Sequence, residues 1–311
     1  MTDSENAASV LAPLSLLAPM KINLCLHVGA VAGDGLHELA SLALFGDVGD
    51  WLTITPSKAY GLEITGPFGR ALKDLPVEKN LVTKAVKALA EKVEGADKFH
   101  ISLEKKLPPA SGLGGGTMDA AAALIGIAKL QPQISRDMIL DIMTALGSDG
   151  PLCLAAFDQS NTKARSYIVG GTGAQILPGP QIPEIFLCVA NPGIEVSTGE
   201  IFAAFDAADA DHSLALPTMG AATKQILDMA EFSAFLGKTR NDLEPVAEVR
   251  YPVIGDLRRL MAANQACLMA RMSGSGASLF GVFARREEAV AAAAGLKDVA
   301  PFAEAVGIYL G

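Results

Sequence analysis

The chain has 311 residues, 50% of them hydrophobic and only 5% aromatic, enough apolar material for one large or two ordinary domains. Its 34 acidic and 25 basic side chains leave a net charge of −9, and no basic cluster interleaved with aromatics offsets that field, which argues against a nucleic-acid partner. No uninterrupted apolar run reaches the roughly 20 residues that span a bilayer, so no membrane association is expected.

The apolar start "VLAPLSLLAPM" (10–20) carries two prolines and no basic residue before Lys21, so it reads as an entry strand and not as a secretory signal. Short apolar runs or alternation predict strands at "INLCLHV" (22–28), "DWLTITP" (50–56), "LEIT" (62–65) and "HISLEKKL" (100–107). Helical spacing predicts helices at "NLVTKAVKALAEKV" (80–93), from Met118 onward, and at "SRDMILDIMTAL" (135–146). After "LGSDGPLCLAAF" (146–157) the pattern restarts with a strand in "EIFLCVANPG", a capped helix in "STGEIFAAFDAA" and a strand in "GASLFGVFA" (276–284). The biased stretches "AAFDAADADHS" (203–213) and "AVAAAAGLK" read as helix or loop. The boundary is expected near 165, dividing the chain into residues 1–165 and 166–311. The cysteines Cys25, Cys153, Cys188 and Cys267 are scattered among apolar neighbours without a CxxC pair, which suits thiols in a reducing cytoplasm and excludes a structural zinc.

"LPPASGLGGGTMDAAAAL" (107–124) places four glycines in the five positions 112–116, directly before a helical run. Glycines tolerate positive φ and let backbone amides converge; at a helix N-terminus they can hold a phosphate. A Walker loop would need GxxxxGK[ST], but no lysine follows. A dinucleotide fingerprint fails at Thr117, where its last glycine should stand. A plain flexible turn is the alternative that this loop alone leaves open. On the phosphate reading, a branched side chain at Gly115 would obstruct backbone approach to the anion.

The loop belongs to a longer series. "APMKINLCLHV", "DGLHEL", "PPASGLGGGTMDAAAAL", "LGSDGP", "RNDLEPVAEVRYP" and "MSGSGASLF" follow one another from residue 18 to residue 280. Together they resemble the GHMP kinase superfamily, and most of all its branch acting on diphosphocytidyl methylerythritol in the non-mevalonate isoprenoid route. The resemblance implies a two-domain α+β fold with the active site in the cleft between domains. It implies ATP and Mg²⁺ as cofactors and a small-molecule substrate, and it says nothing of oligomeric state or of protein ligands to the metal. Lys21 and Asp149 match the family's catalytic pair. A hydroxyl nucleophile needs a carboxylate to take its proton, and a cation beside that carboxylate keeps it ionised.

By the same resemblance Pro109, Ala110, Ser111, Gly112, Leu113, Gly114, Gly115, Gly116 and Thr117 would wrap the ATP phosphates. Asn80 matches a position near the adenosine, although asparagine is also a common helix N-cap. Asp119 falls in the expected helix's first turn, where the dipole favours an acidic residue, and is read as structural. Asn23, Leu36, His37 and Phe202 match positions on the substrate side. "MSGSGAS" is expected near the cleft without direct chemistry. The chain departs from the family pattern at Leu36, where a tyrosine commonly stacks on cytosine, and at Met118, where a serine hydroxyl is lost. Other GHMP enzymes, such as homoserine kinase, mevalonate kinase or diphosphomevalonate decarboxylase, and a non-catalytic nucleotide-binding relative are the alternatives; "NDLEP" and "DGLHEL" count against the former, Lys21 and Asp149 against the latter.

Overall fold

The computed structural model describes residues 12–33, 35–158, 166–208 and 228–310. Two long antiparallel strands, β1 (Leu14–Val31) and β2 (His37–Pro56), form its spine. Around them lie β3 (Gly61–Thr65), α1 (Leu81–Ala90), β4 (Phe99–Glu104), α2 (Gly115–Leu130), α3 (Arg136–Leu146), α4 (Gly150–Ala155), β5 (Tyr167–Gly170) and β6 (Gln175–Pro178). β3, β4, β2, β5 and β6 pair in that order, with β1 joined to β2, in one six-stranded sheet. The second half gives β7 (Phe186–Asn191), α5 (Thr198–Ala207), α6 (Met229–Leu236), α7 (Glu244–Arg250), α8 (Pro252–Ala262), β8 (Met269–Met272), β9 (Leu279–Phe283), α9 (Arg286–Leu296) and β10 (Phe302–Val306). Its strands form a four-stranded sheet in the order β10, β7, β9, β8.

The middle of β1 is buried on both faces: Ala18 packs toward the helices of the first half, Ile22 and Leu24 toward the second sheet, and Leu26 and Val28 toward the helices of the second half. A strand covered on both sides loses polar alternation. That is why the sequence suggests an entry strand at 10–20 and a separate strand at 22–28 where one strand runs from Leu14 to Val31, and why the first part of β2, residues 37–49, gives no strand signal at all. Leu42 and Leu44 of β2 meet Leu187, Val189, Phe280 and Val282 of the second sheet in the cluster that joins the two halves.

Two further differences concern the boundary and the helices. The β5–β6 hairpin, which the expected division at 165 puts in the second half, pairs through β5 with Ser41–Ala43 of β2. The change of sheet therefore falls between Pro178 and Phe186. α2 consists largely of alanine because it lies close on the sheet: a Cβ at Gly126 would collide with Ile54 and Leu16. α1 follows its pattern, burying Val82, Ala85, Val86 and Leu89 at helical spacing. Residues 209–213 of the alanine–aspartate stretch lie outside the described residues.

Candidate active site

Lys21 and Asn23 stand two apart on β1 and so share a face of the strand. The Lys21 ammonium donates to Asn23 Oδ1 at 2.9 Å and to Asp149 Oδ2 at 3.0 Å. Asn23 Nδ2 in turn donates to Ser41 Oγ at 2.7 Å, and Ser41 donates to the Cys25 carbonyl at 2.6 Å. These bonds fix the orientation of the Asn23 side chain, and Nδ2 keeps a second N–H. The lysine side chain is only 6% exposed, whereas Asp149, at the start of α4, is 45% exposed. The cation is sequestered and the carboxylate faces open space.

That space is a cavity of about 540 Å³ between the two halves. Lys21, Asn23, Pro109, Ala110, Ser111, Gly112, Gly114, Gly115, Gly116, Thr117, Asp149 and Phe202 all line it, together with Ser41, Ser148, Gly274 and Ser275. Ala110, Gly112 and Gly114 have φ of 48°, 75° and 69°, so left-handed residues alternate along the loop. Such alternation turns successive N–H groups toward one concavity, and the loop runs straight into the N-terminus of α2, whose first N–H groups lack intrahelical partners. The left-handed Ala110 is the costly member, at about 1–2 kcal/mol for a residue with a Cβ. Strain held in a cavity-lining loop is a mark of function.

A second glycine turn backs the first. A Cβ at Gly112 would strike the Ser273 carbonyl oxygen and lie 2.8 Å from that of Gly276. Ser273 Oγ donates to the Gly112 carbonyl at 3.1 Å and accepts from the Asn23 N–H at 3.2 Å. "RNDLEP" braces this turn from behind: Asn241 Nδ2 donates to the carbonyls of Met272 and Gly274, each at 2.8 Å, and Glu244 accepts from the Met272 N–H at 2.6 Å. "MSGSGAS" thus touches both Gly112 and Asn23.

Four of the expected residues lie outside the cavity lining. Asn80 accepts from the Val82 N–H at 2.9 Å, so its side-chain oxygen caps α1. Leu113 is fully buried in the core between the sheets, and only its carbonyl serves the site, accepting from the Lys21 N–H at 2.8 Å. Leu36 is 51% exposed in the turn between β1 and β2. His37 is buried, with Nδ1 2.8 Å from the Gly29 carbonyl and Nε2 3.0 Å from Asp206 Oδ1. Its ring stacks on that of Phe202 at 5.3 Å between centroids. Asp206 and Ser41 were not readable as site residues, because a helical aspartate and a strand serine carry no spacing signal. Gly115 needs a correction of another kind: a Cβ there would point away from the cavity, at 3.3 Å from Lys105 Nζ and 3.5 Å from Asp50 Oδ2. A branched side chain would press into those buried charges before it met a phosphate.

Comparisons with known proteins agree with this architecture. The GHMP kinases N-terminal domain matches residues 80–157 and the GHMP kinases C-terminal domain residues 221–301. A 4-diphosphocytidyl-2-C-methyl-D-erythritol kinase of Caulobacter vibrioides (strain NA1000 / CB15N) is 38% identical over 291 residues, covering 93% of this chain and 96% of the relative. One of the same name from Cereibacter sphaeroides (strain ATCC 17029 / ATH 2.4.9) is 41% identical over 278 residues, covering 89% and 91%. The crystal structure of a 4-(cytidine 5'-diphospho)-2C-methyl-D-erythritol kinase superposes with a TM-score of 0.75 at 27% identity, over 96% of this chain and 100% of that one. The chain belongs to the GHMP kinases, and within them to the 4-diphosphocytidyl-2-C-methyl-D-erythritol kinase family.

Proposed function

We propose that this kinase transfers the γ-phosphoryl group of ATP to the 2-hydroxyl of 4-diphosphocytidyl-2-C-methyl-D-erythritol, a step of the non-mevalonate route to isoprenoid precursors. The observation that carries the reading is the Lys21–Asp149 pair on the wall of a cavity that the glycine loop also lines. Asp149 accepts the hydroxyl proton as the oxygen attacks the γ-phosphorus; the bond from that phosphorus to the β–γ bridging oxygen breaks, and ADP leaves. Lys21 holds the Asp149 carboxylate in place before the transfer and offsets charge on the phosphoryl oxygens during it. The loop from Pro109 to Thr117 and the N-terminus of α2 hold the phosphates through backbone N–H groups.

Mg²⁺ enters this scheme with the nucleotide. Among the described residues no group of three or more His, Cys, Asp or Glu side chains is placed to hold a metal ion. Bound with the nucleotide, Mg²⁺ would supply charge neutralisation on the phosphates. No helix among the described residues is long and apolar enough to cross a membrane. The four cysteines are free thiols, and we place the reaction in the cytoplasm.

On the substrate side, Asn23 meets the sugar alcohol and Phe202 stacks on the cytosine from within the cavity, with His37 packed behind it. One aromatic face is then in use, because Leu36 offers no ring. Leu36→Tyr is expected to tighten the diphosphocytidyl substrate by roughly 5- to 150-fold, the span of a base–aromatic stack of about 1–3 kcal/mol, without moving ATP affinity. Calorimetric titration of each ligand checks this; unchanged affinity would mean that residue 36, half exposed and outside the cavity lining, does not reach the base. The function itself is tested by ADP release with the diphosphocytidyl alcohol, homoserine and mevalonate as competing acceptors. Turnover is expected with the first, and preference for either of the others would overturn the assignment.

A further inference from the structure

Beneath the glycine loop, three ionisable side chains are shut away from solvent and have no part in the mechanism above. Lys105, just after β4 in "EKKLP", lies between Asp50 of β2 and Asp119 of α2, with Nζ 2.8 Å from Asp119 Oδ2 and also bonded to Asp50 Oδ2. Their side chains are 2%, 0% and 4% exposed. The cluster touches the loop directly, because Gly115 has no Cβ to hold it off.

The two carboxylates are not equivalent. Asp50 Oδ1 accepts from the N–H groups of Lys106 at 2.6 Å and Leu107 at 2.9 Å, so with Lys105 it has three donors. Asp119 has the shared ammonium alone, and its Oδ1 is buried with no hydrogen-bond partner. One cation cannot neutralise two carboxylates, and a surplus buried charge is expensive unless a proton removes it. The carboxyl with fewer donors is the one to take that proton. Burial indeed pushes Asp119 up to about 8, against the pull of Lys105. The other titratable group facing it, the Cys153 thiol of α4, is itself raised by burial and stays neutral.

We propose that Asp119 is a positioning residue that binds ATP's phosphate loop to the sheet through Lys105 and Asp50, and that its carboxyl takes up a proton as nucleotide binds. The inference rests on the assignment of ATP to this loop. A nucleotide's negative charge above the cluster favours the neutral acid below it; loss of the proton leaves an uncompensated anion under the phosphate site. By reciprocity, the factor by which nucleotide raises proton affinity is the factor by which the proton raises nucleotide affinity, with one pKa unit of coupling equal to about tenfold.

The test is calorimetric titration of ADP into the full-length protein and into Asp119→Asn from pH 7 to 9, in buffers of different ionisation enthalpy. Comparing the two proteins cancels the protons of ADP itself. The unaltered protein is expected to take up a fraction of a proton more than the variant near pH 8 and to lose ADP affinity above it, while the variant loses this slope; affinity for the diphosphocytidyl substrate should not follow. Equal proton uptake and equal slopes would overturn the proposal, and absence of ADP binding in both proteins would overturn the loop assignment with it. Difference infrared spectroscopy of the unaltered protein decides the matter even if the variant does not fold. A neutral carboxyl stretch that grows with ADP and fades above pH 8 supports the proposal, and its absence at pH 7 contradicts it.

Discussion

Asp149→Asn is expected to fold and to bind ATP, yet to lose phosphoryl transfer by roughly 10²–10⁴-fold, the usual worth of a positioned base. The substitution keeps the shape of the side chain and an oxygen for Lys21 to bond, but an amide cannot accept the hydroxyl proton. With 45% of its side chain exposed, Asp149 is not a pillar of the core, so activity should fall without a matching loss of stability. Lys21→Met should cost roughly 10²–10³-fold, in line with removing a charge aimed at the transferring group, and should also disturb Asn23, whose oxygen it holds. Single-turnover kinetics at saturating ATP separates the chemical step from binding. Near-normal rates in both variants would place the base elsewhere.

The second large effect is on stability. Lys105→Met is expected to cost about 3–5 kcal/mol, because it removes the sole cation from a buried group and leaves Asp50 charged and uncompensated. Set against a typical total of about 5–15 kcal/mol, that loss could leave little folded protein. Urea denaturation measures it, and adding Asp50→Asn should recover part of the loss by removing the stranded charge. The same cluster gives a pH dependence with a definite sign. Asp119 is raised from its ordinary 3.8 to about 8, so the folded state holds a proton that the unfolded chain has already released. Its contribution to stability therefore declines as pH rises from about 4 to about 8, and Asp119→Asn should flatten that decline.

What could be read from the sequence follows the range of the interactions involved. The helix at 80–93 was legible because its cap and its apolar face are local, and Asn80 caps it. The glycine loop was legible because positive φ restricts residue type, and the two-residue spacing of Lys21 and Asn23 follows from strand geometry. Other features depend on partners far along the chain. The Lys21–Asp149 contact joins residues 128 apart, and only a family resemblance pairs them in advance. The strand expected at 100–107 carries no sign that Lys105 is enclosed, because its partners come from β2 and α2. The β5–β6 hairpin was assigned to the wrong half because two four-residue strands carry too little pattern to show which sheet they join.

The most direct test of the account is to identify the product. Purified protein is incubated with ATP, Mg²⁺ and 4-diphosphocytidyl-2-C-methyl-D-erythritol; product mass is measured, and the new phosphate is located by phosphorus–carbon coupling in NMR. The account predicts one added phosphoryl group, carried on the oxygen of C2, with formation of the product abolished or nearly so in Asp149→Asn. Phosphate on another hydroxyl, no product at all, or an equal rate in Asp149→Asn would contradict it.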